Sequence, residues 1–206
     1  ARIVNEGMVT EGDLSIDHDG RISGVNTSAE AGTTVIDARG AYLLPGMIDD
    51  QVHFREPGFE YKATIETESQ AAVAGGITSY LEMPNCNPQT ITPEALEDKH
   101  ARAAARSMSN YGFYFGATND NLEAIKSVDQ RLACGIKIFM GSSTGNMLVD
   151  NEQTLDGIFS SSPLVIATHC EHTPTILKNE AAARAKHGDM IPFSEHPTIR
   201  SAEACH

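Results

Sequence analysis

The chain has 206 residues, a formal net charge of −13 and a sequence pI near 4.9. With 40% hydrophobic and 21% charged residues it can bury a sizeable core, and its acidic balance argues against a nucleic-acid-binding face or attraction to anionic lipid. No apolar run approaches the ~20 residues of a membrane span, ARIVNEGMVTEG lacks a signal-peptide layout, and Cys86, Cys134, Cys170 and Cys205 show no paired spacing, which together predict a reduced cytoplasmic protein.

In chain order, residues 1–45 read as β and are expected to form a first segment. DLSIDHDGRISGV alternates polar and apolar residues about Asp19-Gly20, a hairpin signal, and TTVIDARGAYLL predicts further short strands. After Pro45 the texture becomes strand, loop, helix, repeated, so 46–206 is expected to form a second domain. GMIDDQVHF precedes the helical run TIETESQAAVA, which Gly75 and Gly76 close. ITSYLEM is the next strand, and Thr92 and Pro93 fit the N-cap and first position of EALEDKHARAAARSM. YGFYFGA, a short helix near Asn121 to Arg131, GIKIFM, a helix capped by Asp150, and PLVIATHC follow. Thr173 and Pro174 open a fifth helix that Gly188 ends, and RSAEACH reads as the start of a sixth.

Five apolar strands alternating with five helices predict a parallel sheet, either doubly wound or closed into a barrel. In both, ligands bind at the carboxyl ends of the strands. The polar residues stand there: His53 and Arg55, Asn85, Ser142 to Asn146, and His169. A barrel of eight strands needs about as much chain again, so the sequence reads as a fragment.

Two strand-end histidines, His53 and His169, can point into one mouth, and imidazole suits zinc, although a lone strand-end histidine is more often structural. Lys137 lies inside the apolar GIKIFM. It either snorkels out or pairs with a carboxylate, or it is an amine of lowered pKa that reacts with CO2, and spacing does not choose. Arg55 offers a planar fork for a carboxylate, or pairs with Glu56 on the surface. Asn85 offers an amide face, or shapes the turn in MPNCNP. GSSTGN is a weak anion-cradle signal without the GK[ST] ending of a P-loop. Cys170, Glu171 and His172 read as helix-start packing, and His18, His100 and His187 as solvated.

PGMIDDQVHFREPG, MPNCNP, GIKIFMGSSTGNM, ATHCEH and HPTIRSAEAC together resemble the dihydroorotases of the amidohydrolase superfamily, from about residue 40 to the chain end. The resemblance implies an α/β fold: a distorted (β/α)8 metal-dependent hydrolase barrel, of which the first five to six βα units are present in 46–206, beside a small N-terminal β-sandwich segment formed by 1–45. It implies one or two zinc ions, with His53, Lys137 (as a carboxylated lysine) and His169 as ligands. Arg55 and Asn85 match the residues that grip the substrate carboxylate, and the general acid/base aspartate would lie beyond His206. The implied reaction is reversible hydrolysis of dihydroorotate to N-carbamoyl-aspartate in pyrimidine biosynthesis, by a cytoplasmic homodimer with no nucleic-acid or membrane partner.

The departure is Gln51, where the family's D-x-H-x-H has its first histidine; an amide oxygen is a poorer zinc ligand. It leaves three readings: an enzyme with one well-bound zinc, weak ligation by Gln51 or Asp50, or a non-catalytic subunit supporting aspartate transcarbamoylase. Hydantoinases and allantoinases are similar elsewhere and differ around the arginine.

Overall fold

The computed structural model describes residues 1–27, 33–141 and 146–205. The chain divides into two compact units, Ala1–Met47 and Ile48–His206.

In the first unit, β1 (Arg2–Asn5) pairs antiparallel with β2 (Met8–Glu11) and parallel with β5 (Tyr42–Leu43). β3 (Leu14–Ile16) and β4 (Ile22–Val25) form the expected hairpin. Its turn closes because the Asp17 carboxylate accepts the N–H groups of Asp19 and Arg21, while Gly20 takes φ 75°. TTVIDARGAYLL, expected to supply several strands, supplies only β5. Arg39 and Gly40 both adopt positive φ, and the Asp37 carboxylate accepts the Arg39 N–H, so the run is spent on a turn.

From Met47 onward five strands alternate with helices. They are β6 (Met47–Val52), β7 (Ile77–Glu82), β8 (Asn110–Gly116), β9 (Ala133–Phe139) and β10 (Ile166–His169), ordered β10-β9-β8-β7-β6 in one sheet. The pairs β7/β8, β8/β9 and β9/β10 are parallel. The crossovers are α1 (Ile65–Ala74), α2 (Pro93–Arg106), α3 (Leu122–Lys126) and α4 (Glu152–Ser161), and α5 (Thr173–His187) follows β10. The expected sixth helix is two short turns, α6 (His196–Ile199) and α7 (Ala202–Cys205), broken at Arg200.

Local chemistry sets the helix starts. Thr64 and Thr67 form a capping box on α1, and the Thr92 hydroxyl accepts the Ala95 N–H ahead of Pro93. The cap of α4 is Asn151 rather than Asp150. Asn151 Oδ1 accepts the Thr154 N–H at 3.0 Å, while Asp150 accepts the Asn119 side chain. The core lies on one face of the sheet, where Phe54, Tyr80, Phe113, Phe115, Ile136 and Ile138 meet Ile65, Leu96, Ala103 and Ile158 of the helices. Alternation sends the intervening residues to the other face. Glycines leave room there: a Cβ on Gly135 would lie 2.8 Å from the Tyr114 ring.

Candidate active site

His53 follows β6 between Val52 and Phe54, both of which pack with the core, so it faces the opposite side of the sheet. Its Nδ1 lies 2.8 Å from Asn85 Oδ1, in the loop after β7. Arg55 has φ 70°, a left-handed conformation that costs a residue with a Cβ, and its Nη1 donates to the Asn85 carbonyl at 3.5 Å. Asn87 N–H donates to the Pro57 carbonyl at 2.9 Å, which zips the two loops together. Gly58 makes the approach possible: at φ 89°, a Cβ there would sit 2.0 Å from the Asn87 carbonyl oxygen. Three predicted residues from two strand ends thus form one hydrogen-bonded group.

Lys137 and His169 belong to the same sheet face. Lys137 pairs with Ala167 and Phe139 with His169 in the β9/β10 register, and positions two apart share a side. Lys137 is only 3% exposed, with Nζ 4.9 Å from the Phe139 ring centre, and it forms no ion pair among the described residues. Burial pushes its pKa down. Burial also lowers the His53 pKa; the Asn85 hydrogen bond opposes this, and the charges of Arg55, Lys137 and Lys99 lower it further. The His169 ring is held by Glu171, with Nε2 to Oε2 at 2.7 Å, and Arg200 pairs with the same carboxylate. Glu171 thus orients a site candidate rather than packing a helix start.

Gln51 lies two residues before His53, is exposed, and its side chain has no hydrogen-bond partner among the described residues. Residues 142–145 of GSSTGN lie outside the described residues. A cleft of about 760 Å³ runs along Pro57, Phe59, Asn87, Ile91 and Ala95 and takes only Asn85 from the candidate set, so it is not where the histidines and the lysine meet.

The groups that support the site were not anticipated. Glu56 does not pair with Arg55. It is fully buried, accepts the Ile65 N–H at the start of α1, and binds Arg106 and Arg102 of α2. Glu82 and Lys99 form a second buried pair, Nζ to Oε2 2.8 Å, each 1% exposed. His100 and His187, expected to be solvated, are bound: His100 Nε2 sits 2.7 Å from the Leu132 carbonyl and edge-on to Phe113, and His187 lies 2.8 Å from Glu195. The Lys99 signal was present, because Leu96, Lys99 and Ala103 fall on one helical stripe and are all buried.

Residues 40–139 match the family model described as Dihydro-orotase-like. A dihydroorotase of Halobacterium salinarum is 33% identical over 210 residues, spanning 98% of this chain and 49% of that protein. The chain belongs to the dihydroorotase-like amidohydrolases. An allantoinase of Bacillus velezensis is 36% identical over 215 residues, spanning 99% of this chain and 46% of that one. The solved L-hydantoinase (dihydropyrimidinase) of Arthrobacter aurescens superposes with a TM-score of 0.87 at 26% identity, over 98% of this chain and 46% of that one. The dihydroorotase-like chain therefore spans about half the length of these relatives, and its five βα units form part of a (β/α) barrel.

A metal ion suits the donors in kind. Two imidazoles and a buried amine that has no carboxylate partner among the described residues share one face, and zinc favours nitrogen ligands. Among the described residues no trio of His, Cys, Asp and Glu is placed to hold a metal. No helix of the described residues is long and apolar enough to cross a membrane.

Proposed function

We propose that this chain carries the metal-facing and carboxylate-gripping part of a zinc-dependent enzyme that reversibly hydrolyses dihydroorotate to N-carbamoyl-aspartate. The observation that carries this reading is the His53–Asn85–Arg55 group: a guanidinium held against the Asn85 carbonyl, and the Asn85 amide held against an imidazole. It joins a carboxylate-recognising fork to a candidate metal ligand within one bonded unit.

Each residue then has a role. Arg55 forms a two-pronged contact with the substrate carboxylate, and Asn85 fixes both that contact and the His53 ring. Arg55 and Asn85 thus orient the substrate through its carboxylate, at a distance from the ring bond being broken. His53, His169 and Lys137 would hold the zinc, which when bound supplies a Lewis acid that activates water and polarises the ring carbonyl. Burial favours neutral Lys137. A neutral amine can attack the carbon of CO2 and lose a proton, leaving an anionic carbamate that suits a divalent ion. Dimerisation and a cytoplasmic location belong to the same proposal.

A second reading is another cyclic amide substrate, favoured by the allantoinase at 36% identity and the L-hydantoinase superposition. A third, a non-catalytic partner of aspartate transcarbamoylase, is favoured by Gln51, whose amide weakens the ligand set. Substrate choice tests the first two. Arg55→Lys keeps charge but loses the fork, so KM for dihydroorotate should rise roughly ten- to a hundredfold, the worth of one charge-assisted contact of about 1.5–3 kcal/mol. Dihydrouracil, which lacks the carboxylate, should be a poor substrate that is indifferent to the substitution. Equal wild-type turnover of both would favour the hydantoinase-like reading. No hydrolysis of either with zinc supplied would favour the non-catalytic one.

A further inference from the structure

β10 ends at His169, and two residues further on Glu171 turns back onto its ring, with Nε2 to Oε2 at 2.7 Å. A carboxylate offers only lone pairs, so Nε2 carries the proton and donates it. In the neutral ring Nδ1 then keeps the lone pair, which makes it the nitrogen able to ligate a metal. The backbone around this pair is tied on both sides. Met140 N–H, just after β9, donates to the His169 carbonyl at 2.9 Å, and His172 N–H donates to the Ala204 carbonyl at 2.6 Å.

The Glu171 side chain is only 10% exposed, against 38% for His169. Burying a carboxylate is costly without a paired charge. Arg200 supplies it: its Nη1 donates to both oxygens, at 2.8 Å to Oε1 and 2.6 Å to Oε2. The chain brings Arg200 there from outside the sheet. Asn179 of α5 donates to the carbonyls of Thr198 and Ile199, at 3.3 and 3.2 Å, and Arg200 then leaves helical geometry at φ −98°, ψ 69° between α6 and α7. The break between the two short helices is the point at which a cation is presented to Glu171.

We propose that Arg200 is a positioning residue for His169, acting through Glu171: the guanidinium holds the carboxylate, and the carboxylate sets the angle of the ring and the nitrogen it turns to a metal. A segment that contributes no strand to the sheet thereby controls the candidate ligand at the end of β10. The proposal rests on the metal-binding role proposed for His169, but its first half, the hold on the ring, can be read with no metal present.

The test uses the full chain. In metal-free wild type the His169 Nε2 proton should be visible by nuclear magnetic resonance in water, because a hydrogen-bonded imidazole proton exchanges slowly; His169→Gln assigns the signal by its loss. Glu171→Ala removes the acceptor, Arg200→Met removes the cation, and Arg200→Lys returns the charge. The signal should vanish in Glu171→Ala and in Arg200→Met and return in Arg200→Lys. The dissociation constant for zinc, measured by competition with a chromophoric chelator, should rise about ten- to a hundredfold in Glu171→Ala, the usual effect of losing a partner of a metal-binding histidine. Arg200→Met should weaken zinc in the same direction, and the double variant should be no worse than Glu171→Ala, because the two residues act in series. A merely structural role would lower the urea midpoint of the metal-free chain and leave the ring proton in place. Losses that multiply in the double variant, or a ring proton and a zinc affinity indifferent to Arg200→Met, would overturn the proposal. If Glu171→Ala does not fold, the comparison of Arg200→Met with Arg200→Lys decides, since Arg200 is 37% exposed and its replacement opens no core. A wild-type chain whose ring proton depends on Arg200 but which binds no zinc would sink the proposed function and leave the hold on the ring standing. Zinc binding that needs His169 and ignores Arg200 would overturn the proposal and leave the function.

Discussion

Replacing Gly58 by alanine tests how tightly the two strand-end loops are joined. Gly58 has φ 89°, and an added Cβ would meet the Asn87 carbonyl oxygen at 2.0 Å and the Asn87 Cβ at 2.6 Å. Two costs arise. A left-handed conformation costs a residue with a Cβ about 1–2 kcal/mol. The contact is with backbone, so no rotamer change relieves it, and forced backbone shifts cost about 1–3 kcal/mol. The sum is about 2–5 kcal/mol, and with a urea m-value of about 2 kcal/mol/M a 3 kcal/mol loss lowers the midpoint by roughly 1.5 M. The transition is best followed by the near-ultraviolet signal of the tyrosines, because Tyr80 and Tyr114 are buried in the second unit while Tyr42 of the first is exposed. The shift of Asn87 should also drag Asn85, so the variant should bind dihydroorotate more weakly. A stability loss below about 1 kcal/mol would refute the reasoning, because it would mean that even the conformational cost is not incurred.

Lys137→Ala should lose zinc as measured by elemental analysis, with partial recovery on adding a short carboxylic acid; full metal retention would exclude Lys137 as a ligand. Gln51→His restores the nitrogen donor that the family motif has at this position, and should raise zinc content without lowering stability; unchanged content would place the metal away from β6. Burial raises the Tyr80 phenol to about 12, from an ordinary value near 10. The folded state holds this proton more tightly than the unfolded state, so its contribution is fully present below pH about 10 and lost as pH rises toward 12. Tyr80→Phe should flatten that alkaline decline in urea unfolding, and an unchanged slope would assign it elsewhere.

The strands and their sequence-distant grouping were legible because parallel strands covered on both sides become short, nearly continuous apolar runs. GIKIFM and YGFYFGA read that way and became β9 and β8. Helix starts were legible where a hydroxyl precedes proline, as at Thr92, and less so where two amide or acid side chains compete, as at Asp150 and Asn151. TTVIDARGAYLL was misleading because its apolar residues are real but Arg39 and Gly40 turn the chain. His53, Arg55 and Asn85 could be seen as chemistry, and their mutual bonding needed coordinates. The buried carboxylates were hidden for a physical reason. Glu56 and Glu82 sit where a solvated residue is the ordinary expectation, and only their partners, up to 50 residues away, make burial tolerable.

That separation bears on the order in which the protein takes shape as it is made. The cations that pair with the two buried acids all come later in the chain than Arg55: Lys99 for Glu82, and Arg102 and Arg106 for Glu56. A ribosome delivers the HFREPG segment before any of them. Until α2 has emerged, burying Glu56 or Glu82 would strand a carboxylate without its cation, which disfavours early collapse of this loop. The segment with the strongest chemical signature should therefore remain hydrated during synthesis while strands on either side of it begin to associate, and acquire its working shape only when the second helix closes over it.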